Sequence, residues 1–573
     1  MEDRATNYPV HLYLQAKRKL SSTRWLLFIA VLLAAISVAQ LLIRGGTLTS
    51  FPHELRYGEA VVLDQARRVV ADPGLYPEIG KEPWLLDQYA PFYPWVARFV
   101  SQFSTTPYGA GRFLSLISTL LSAAMLVLIV RRSSGLAVGL LCGAAMLTML
   151  EFLQFGFLMR VDPLALALAM VGSWCTLQAG NRIRLLGAVS FFFAVYTRQT
   201  MLALLLVSYG QLYLQEGRKA LRWPLGLLAA GLVFYGILSV STGGLFHQHA
   251  VLSNLFPFNW DYGIQKAFGS FVPWKLPLFF ATFLALGSVR ADLRVSVTTW
   301  LPLCLALVLT VPTLLAWNSG TLGRDALDPI VWGHGILAVS ALLAIFRSQG
   351  VDKIDGFRVL LALLSTSLIA RIGSDLNYLF EAGVLTLLVC GTSFGRVPTR
   401  RGMVIVVLLV VQVLFGLYQC RGIAEFQPER LEEIRYRQKV IDDLRRFPDP
   451  VLSEEPWALA ESARPLQIEP YTARQMFESG MWDGDDLVKA IEQQRYSAIL
   501  RAKQRAYAGF ETDPDGQQRA YFGPWTFNGV RSLPPKIQEA IENNYKPVPR
   551  TSMIERVSSL YLEGREIWEP IPR

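Results

Sequence analysis

RGGTLTSFPHELRYGEAVVLDQARRVVADPGLYPEIGKEPWLLDQYAPFYPWVARFVSQFSTTPYGAGR, residues 44–112, is the longest interruption in an otherwise apolar chain. It follows the apolar run Trp25 to Ile43 directly, and it contains Glu54, Glu59 and Asp64 at a spacing of five. Leu55, Val61, Val62, Leu63, Ala66, Val69 and Val70 alternate there with Arg56, Arg67 and Arg68. A helix of that mixed character is expected to lie on a membrane surface rather than to cross it. Asp72-Pro73-Gly74 ends it, because proline and glycine cannot extend a helical ladder. Tyr76, Trp84, Tyr89, Pro91, Phe92, Tyr93, Pro94 and Trp95 follow, a run suited to the lipid–water boundary. The expectation is a loop, 44–111, that sets carboxylates beside an aromatic wall at the bilayer surface.

Outward from this loop the chain is built of apolar stretches. Twelve recur between residues 112 and 419, and with the first run they predict about 11–13 transmembrane helices, several shorter than the ~20 residues of a perpendicular crossing. The stretches 184–196 and 199–214 can be read as two spans or as halves of one kinked helix. Basic residues sort by alternate loops. One set holds Arg131-Arg132, Arg182 with Arg184, Arg218-Lys219 with Arg222, Arg290 with Arg294, Arg347 with Lys353 and Arg358, and Arg396 with Arg400-Arg401. The other holds Arg160, Arg198, Lys266, Lys275, Arg324 and Arg371. By the positive-inside rule the N-terminal segment 1–24 is cytoplasmic, with Lys17, Arg18 and Lys19 preceding the first span. Residues 25–419 form the membrane domain, and 420–573 fall on the extracytoplasmic side with the first loop. Helical patterns near 428–447, 484–494 and 534–544, with strand-like Val451 to Ser453 and Tyr496 to Ala502, predict a small α/β or α+β domain there.

Composition excludes a soluble protein: 573 residues are 52% apolar and 17% charged, against about 25% charged in soluble chains. The net charge of +10 is dispersed over short connections, which argues against a nucleic-acid partner. Cys142, Cys175, Cys304, Cys390 and Cys420 lie in or beside apolar runs with no CxxC pair and read as small core residues. The absence of any N-x-[ST] acceptor favours a prokaryotic cell membrane.

Polar residues at the ends of spans supply the chemistry. Arg160-Val161-Asp162-Pro163 reads as a helix start with Asp162 as N-cap, or as charges facing the first-loop carboxylates. Arg198, between two short stretches, is either a helix anchor or a partner for a lipid phosphate, which a guanidinium binds by paired hydrogen bonds. Arg371, Asp375, Asn377, Tyr378 and Glu381 form a polar run too dense for anchoring alone. His247 and His249, with Asn259, Trp260 and Asp261, are expected to be a wet loop pair rather than a metal site. Gly391-Thr392-Ser393-Phe394-Gly395 matches a nucleophile elbow by letters only, since no strand precedes it.

Taken together these motifs resemble the GT-C superfamily of multi-pass glycosyltransferases, notably the protein mannosyltransferase and aminoarabinose transferase-like group. Glu54-Leu-Arg56-Tyr57-Gly-Glu59 is similar to that group's E-x-R-Y-x-E run, and Tyr57 to Ala60 with Tyr89 to Pro94 to its YGEG and YPPLY elements. Arg160-Val-Asp162, Thr197-Arg198-Gln199 and the G-x-D-x-N-Y-x-x-E run from Gly373 to Glu381 match further elements. The resemblance spans about residues 25–420 and, weakly, the C-terminal domain. It implies a GT-C-like all-α polytopic bundle with an extracytoplasmic domain and a polyprenyl-phosphate-linked sugar donor. One departure stands out: His53 occupies the position of the aspartate that aminoarabinose-type enzymes use in catalysis.

The resulting expectation is a membrane enzyme that moves a sugar from a polyprenyl-phosphate carrier to a glycan, lipid or protein acceptor on the outer face, with inversion. A first-loop carboxylate would be general base, Glu59 in preference to Glu54 because it fits the YGEG pattern, with Asp162 as a further catalytic candidate. Arg198, Arg160 and Arg371 would hold the leaving phosphate; Tyr57, Tyr89 and Tyr93 would line the site. No cofactor or metal is expected. The rival readings are a transporter or flippase of lipid-linked sugars, for which the gathering of charge at one face is unfavourable, and an O-antigen-type polymerase or ligase.

Overall fold

The computed structural model describes residues 24–71, 74–254, 263, 275–286, 353–371, 374–420, 429–502, 511–512, 518–519, 533–548 and 565–572. The spans expected at 297–316 and 330–346 lie outside them. So do Lys17, Arg18, Lys19, Asn259, Trp260, Asp261, Lys266, Arg290, Arg294, Cys304, Arg324, Arg347 and Gly373.

The chain is a multi-pass membrane protein, an all-α bundle followed by a small mixed α/β domain. Among the described residues, five helical stretches are long and apolar enough to cross a membrane: Arg24–Thr49, Gly109–Ser134, Ala203–Ser241, Leu376–Ser393 and Thr399–Gln419. The shorter apolar helices Leu136–Leu147, Val161–Thr176 and Leu276–Leu286 pack among them. Asn181–Thr197 and Ala203–Glu216 are antiparallel legs, not halves of a kinked helix. Extended backbone at Arg198 breaks the ladder between them, and Arg184 at the start of one pairs with Glu216 at the end of the other, 2.6 Å away. The chain turns again at Gly217, where φ is +64°. Arg222–Ser241 then runs alongside Asn181–Thr197, joined by Arg222 to Asn181 (2.8 Å) and by the Tyr196 hydroxyl to the Gly231 carbonyl (2.7 Å).

These legs define two ends. One carries Arg132, which donates to the Leu177 carbonyl, together with Arg184, Arg222, Arg358 and Arg396. The charges do not gather at one face alone. Asp355 at this end binds Arg358 at 2.7 Å, Arg396 and the Ser393 hydroxyl, fixing the turn after Phe380–Ser393 and giving Ser393 a structural task. Cys142, Cys175 and Cys390 are buried as small core residues.

The other end carries the C-terminal domain. Val451–Ser453 pairs in parallel with Ala498–Ala502, which pairs antiparallel with Arg565–Pro570, itself antiparallel to Tyr545–Pro547. The parallel pair requires a crossover, supplied by the helices Pro456–Glu461, Pro470–Glu478 and Asp485–Glu492. The helix Pro535–Asn544 leads into the edge strand.

The first-loop helix Glu59–Arg68 has no apolar face left free for lipid. Eight of its ten residues are buried. Ala60, Val62, Leu63 and Ala66 share one apolar core with Tyr436, Ile441, Trp457 and Leu459 of the C-terminal domain. Trp84 and Leu86 enter a second core with Ile468, Trp482 and Ile537, and the Trp84 amide donates to the Gln467 carbonyl at 2.8 Å. Even the polar face is enclosed: Arg68 binds Asp64 (2.6 Å) and Asp87 (2.7 Å), which satisfies the charges that a lipid surface would have left to water. Of the aromatic run, Tyr76, Trp84 and Tyr93 are buried while Trp95 remains outside.

In a background without the native cysteines, Lys81→Cys and Asp486→Cys should react with an impermeant thiol reagent from one side of the membrane. Lys219→Cys and Arg400→Cys should react only from the other. Labelling of residues 81 and 486 from opposite sides would overturn the arrangement.

Candidate active site

The loop from Phe51 to Glu59 is locked by one ion pair. Glu59 opens its helix with a carboxylate that is wholly buried against Arg112. Arg112 Nε donates to Glu59 Oε1 at 2.9 Å and Nη2 to Oε2 at 2.8 Å. The backbone amides of Leu55 and Met159 each donate to the same carboxylate at 2.8 Å. Arg112 gives its remaining donors to the carbonyls of Leu48, Phe51 and His53. Both groups are thereby saturated, four acceptor sites against five donors. Burial alone would raise the Glu59 pKa, but the Arg112 charge and the two amides hold it below the usual carboxylate range. A carboxylate so fully engaged, by four hydrogen bonds and a counter-charge, is held in its ionised form.

Five residues earlier, Glu54 has the opposite environment. It too is buried, yet only Oε1 is engaged, by the Ala60 amide at 3.0 Å. Among the described residues its second oxygen has no hydrogen-bond partner. Burial pushes the Glu54 carboxyl up to about 8; the Ala60 amide and Arg437 oppose the rise, and the charges of Glu59 and Glu461 add to it. His53 beside it binds Glu461 of the C-terminal domain through Nδ1 at 2.7 Å.

Gly58 joins this loop to the rest of the site. Its φ is +101°, and a Cβ there would fall 2.1 Å from Arg160 Nη1, so only glycine fits. Arg160 Nη1 donates to the Tyr57 carbonyl at 2.8 Å, and Tyr93 stands within electrostatic reach of both Glu59 and Arg160. The helix after Arg160 starts at Val161 with Arg160 as N-cap. Asp162 is therefore not the cap expected from the sequence; it sits in the first turn, fully buried, with its carboxylate against Arg198 and 3.9 Å from Arg160 Nε.

Arg198 lies over the Tyr378 ring, 4.2 Å from its centroid. Arg371 and Arg160, like Arg198, lie within electrostatic reach of the Tyr378 hydroxyl. Arg371 is held by Asn254 Oδ1 at 2.7 Å, and Tyr89 and Glu381 lie within electrostatic reach of Arg198. Glu381 also accepts the Leu204 amide at 2.9 Å, the amide that the broken Asn181–Glu216 hairpin exposes. Asn377 is buried beside Tyr378. Asp375 caps the short 3-10 turn Leu376–Leu379 by accepting the Leu376 amide at 2.8 Å.

The C-terminal domain roofs this cluster through Pro470–Glu478. Tyr471 faces Tyr378 and Arg371 and is bonded by Gln475, which receives Gln88 of the first loop at 3.4 Å. Arg112, Glu461, Tyr471 and Gln475 were not legible as site residues; only Arg112, a lone charge opening an apolar stretch, carried a signal. The two histidines are not a wet pair. His249 is buried, with Nδ1 accepting the Asp87 amide (2.9 Å) and Nε2 donating to the Pro77 carbonyl (2.6 Å), so its neutral form is fixed and burial lowers its pKa. Among the described residues no group of three metal-ligating side chains occurs.

No family model and no curated protein sequence matches the chain. In three dimensions it is similar to ArnT from Cupriavidus metallidurans, in a crystal structure bound to undecaprenyl phosphate and in one of the apo state. Each is 13% identical, with a TM-score of 0.44 over 94% of this chain and 97% of that one.

Replacing Glu59 with Gln leaves the Arg112 charge buried without its counter-charge. It should lower stability by about 3–5 kcal/mol, read as an earlier unfolding midpoint in detergent. Because the folded pKa of Glu59 is depressed, the pair stabilises above the unfolded-state pKa and fails as pH falls through the folded one.

Proposed function

We propose that the protein is a membrane glycosyltransferase that uses a polyprenyl-phosphate-linked sugar, with both its C-terminal domain and its chemistry on the extracytoplasmic face. One observation carries the reading: Arg198, stacked on Tyr378, shares Asp162 with Arg160, which itself bonds the first loop at Tyr57, and Arg371 lies within electrostatic reach of the same tyrosine. Planar guanidinium forks match phosphate oxygens in number and geometry, and a cluster fixed before binding needs no reorganisation as charge develops on the leaving group. Asp162 and Glu381 hold Arg198 in place, so that three cations can be tolerated in a buried site.

In the proposed step an acceptor hydroxyl oxygen attacks the anomeric carbon while the bond from that carbon to the phosphate oxygen breaks. The sugar is inverted and the lipid phosphate leaves with its electron pair into the arginine cluster. The hydroxyl proton passes to Glu54, whose proton affinity near neutral pH suits a general base better than the saturated Glu59. Asp162 acts on Arg198 and Arg160 rather than on the proton. Tyr57, Tyr89 and Tyr93 would contact the substrates between loop and cluster, with Tyr471 of the C-terminal domain near Tyr378 and Arg371. The acceptor, a glycan, lipid or protein, would enter under the C-terminal domain.

Two measurements test this. With native membrane lipid as donor, Glu54→Gln should lower turnover by about 10²–10⁴-fold while leaving binding of polyprenyl phosphate intact. Arg198→Ala should weaken that binding roughly 10- to 100-fold, and Arg198→Lys should restore it only in part, because an ammonium cannot make the paired contact. Full turnover in the Glu54 variant, or transbilayer movement of the lipid without sugar transfer, would replace this reading with transport.

A further inference from the structure

Glu461 ends the helix Pro456–Glu461 of the C-terminal domain, yet its carboxylate reaches into the first loop. Oε1 accepts the backbone amide of Glu54 at 2.7 Å and the Tyr108 hydroxyl at 3.0 Å, and Oε2 binds His53 Nδ1 at 2.7 Å. The side chains of both His53 and Glu461 are nearly inaccessible, at 4% and 2% exposure. Arg437, from the helix Glu429–Leu444, stands 3.7 Å from Glu461 Oε1 and lies against the Trp457 ring. One side chain of the C-terminal domain thus grips two consecutive first-loop residues, one by its ring and the other by its amide.

We infer that Glu461 is a positioning residue for Glu54: by gripping the His53 ring and the Glu54 amide it fixes the backbone from which the Glu54 carboxyl projects. The inference rests on the proposed role of Glu54, and it makes the C-terminal domain part of the reaction centre rather than an acceptor platform alone. The groups facing Glu54 come from every element around it. They are the Ala60 amide and Glu59 on its own loop with Arg112 behind them, Tyr108 before the Gly109–Ser134 helix, His53, Arg437 and Glu461. A positioning carboxylate predicts opposite responses to Glu461 and Arg437, which act on that proton with opposite sign.

The test is isotope-edited infrared titration of the Glu54 carboxyl in the full-length protein, assigned by its disappearance in Glu54→Gln. It requires no turnover, so it stands apart from the transferase reading. Glu461→Gln should move the midpoint down by about one pH unit and Arg437→Gln should move it up by a similar amount. Glu461→Asp, which keeps the charge, should leave it near that of the wild type and serves if the glutamine variant fails to fold. Where turnover is measurable, the limb of the pH–rate profile that rises as Glu54 ionises should follow the same shifts. Midpoints unmoved in both variants, or moved in one direction, would overturn the inference and leave Glu461 a docking contact. Midpoints shifted with opposite sign in the two variants, with no sugar transfer by the wild type, would uphold it and refute the transferase reading instead.

Discussion

Glu59 and Arg112 hold together three parts of the molecule that sequence separates widely. Arg112 begins a long membrane helix, Glu59 begins the first-loop helix, and the Met159 amide that completes the carboxylate precedes Arg160. The remaining donors of Arg112 fasten the carbonyls of Leu48, Phe51 and His53, the exit from the first span. A buried pair stabilises only if nearly every donor and acceptor is used, since each ion has lost its water. That condition is met here, and it is why the Arg160 cluster and the loop above it have a fixed relation. With Arg160 placed, Gly58 must lack a side chain and Asp162 must face Arg198.

The same loop shows how environment divides labour between identical side chains. Glu54 and Glu59 are five residues apart, equally buried, and differ in what they touch: four hydrogen bonds and a full counter-charge at Glu59, a single amide at Glu54. One carboxyl is pushed down and the other up to about 8. Carboxyl pairs whose proton affinities are driven apart are the pattern by which structural and proton-transferring roles are separated. Sequence spacing could not reveal this division, because it depends on Arg112 and Met159, which lie 53 and 100 residues from Glu59.

Much of the architecture was legible in the chain. Apolar runs and alternating basic loops gave the helices and their two ends, because lipid imposes composition on whole segments. The Val451–Ser453 and Ala498–Ala502 strands were legible as short runs buried without interruption from Val451 to Ser453 and from Ala498 to Leu500, and the Asp485–Glu492 helix by its single buried face. Arg160, Arg198 and Arg371 stood out as charges at the ends of apolar runs, where an unpaired cation is costly. What failed was local. The helix Glu59–Arg68 looked interfacial because Arg67, Arg68 and Asp64 interrupt it, but Asp87 and the C-terminal domain satisfy those charges from elsewhere in the chain. Asp162 looked like a cap because proline follows it, whereas the helix begins one residue earlier. Both errors come from assigning to water, or to the adjacent backbone, charges whose partners are distant in sequence.

That failure has a structural meaning. Polar groups of the C-terminal domain close the loop at several separate points, among them Glu461 on His53 and Glu54, the Ala460 carbonyl on Arg67, the Gln467 carbonyl on Trp84, and Gln475 on Gln88. Two apolar cores shared with the loop lie between these points. Such a surface is too large and too dry to open as a lid without exposing both cores, so the domain belongs to the loop's folded state rather than resting upon it. Glu54 then sits at a seam between two folding units, each of which supplies part of its surroundings. A carboxyl placed there can be tuned from either side of the seam, by Glu59 and Ala60 from the loop or by Arg437 and Glu461 from the domain. A loop lying on lipid would have offered only water as the second side, and water would have returned Glu54 to the ordinary carboxylate range.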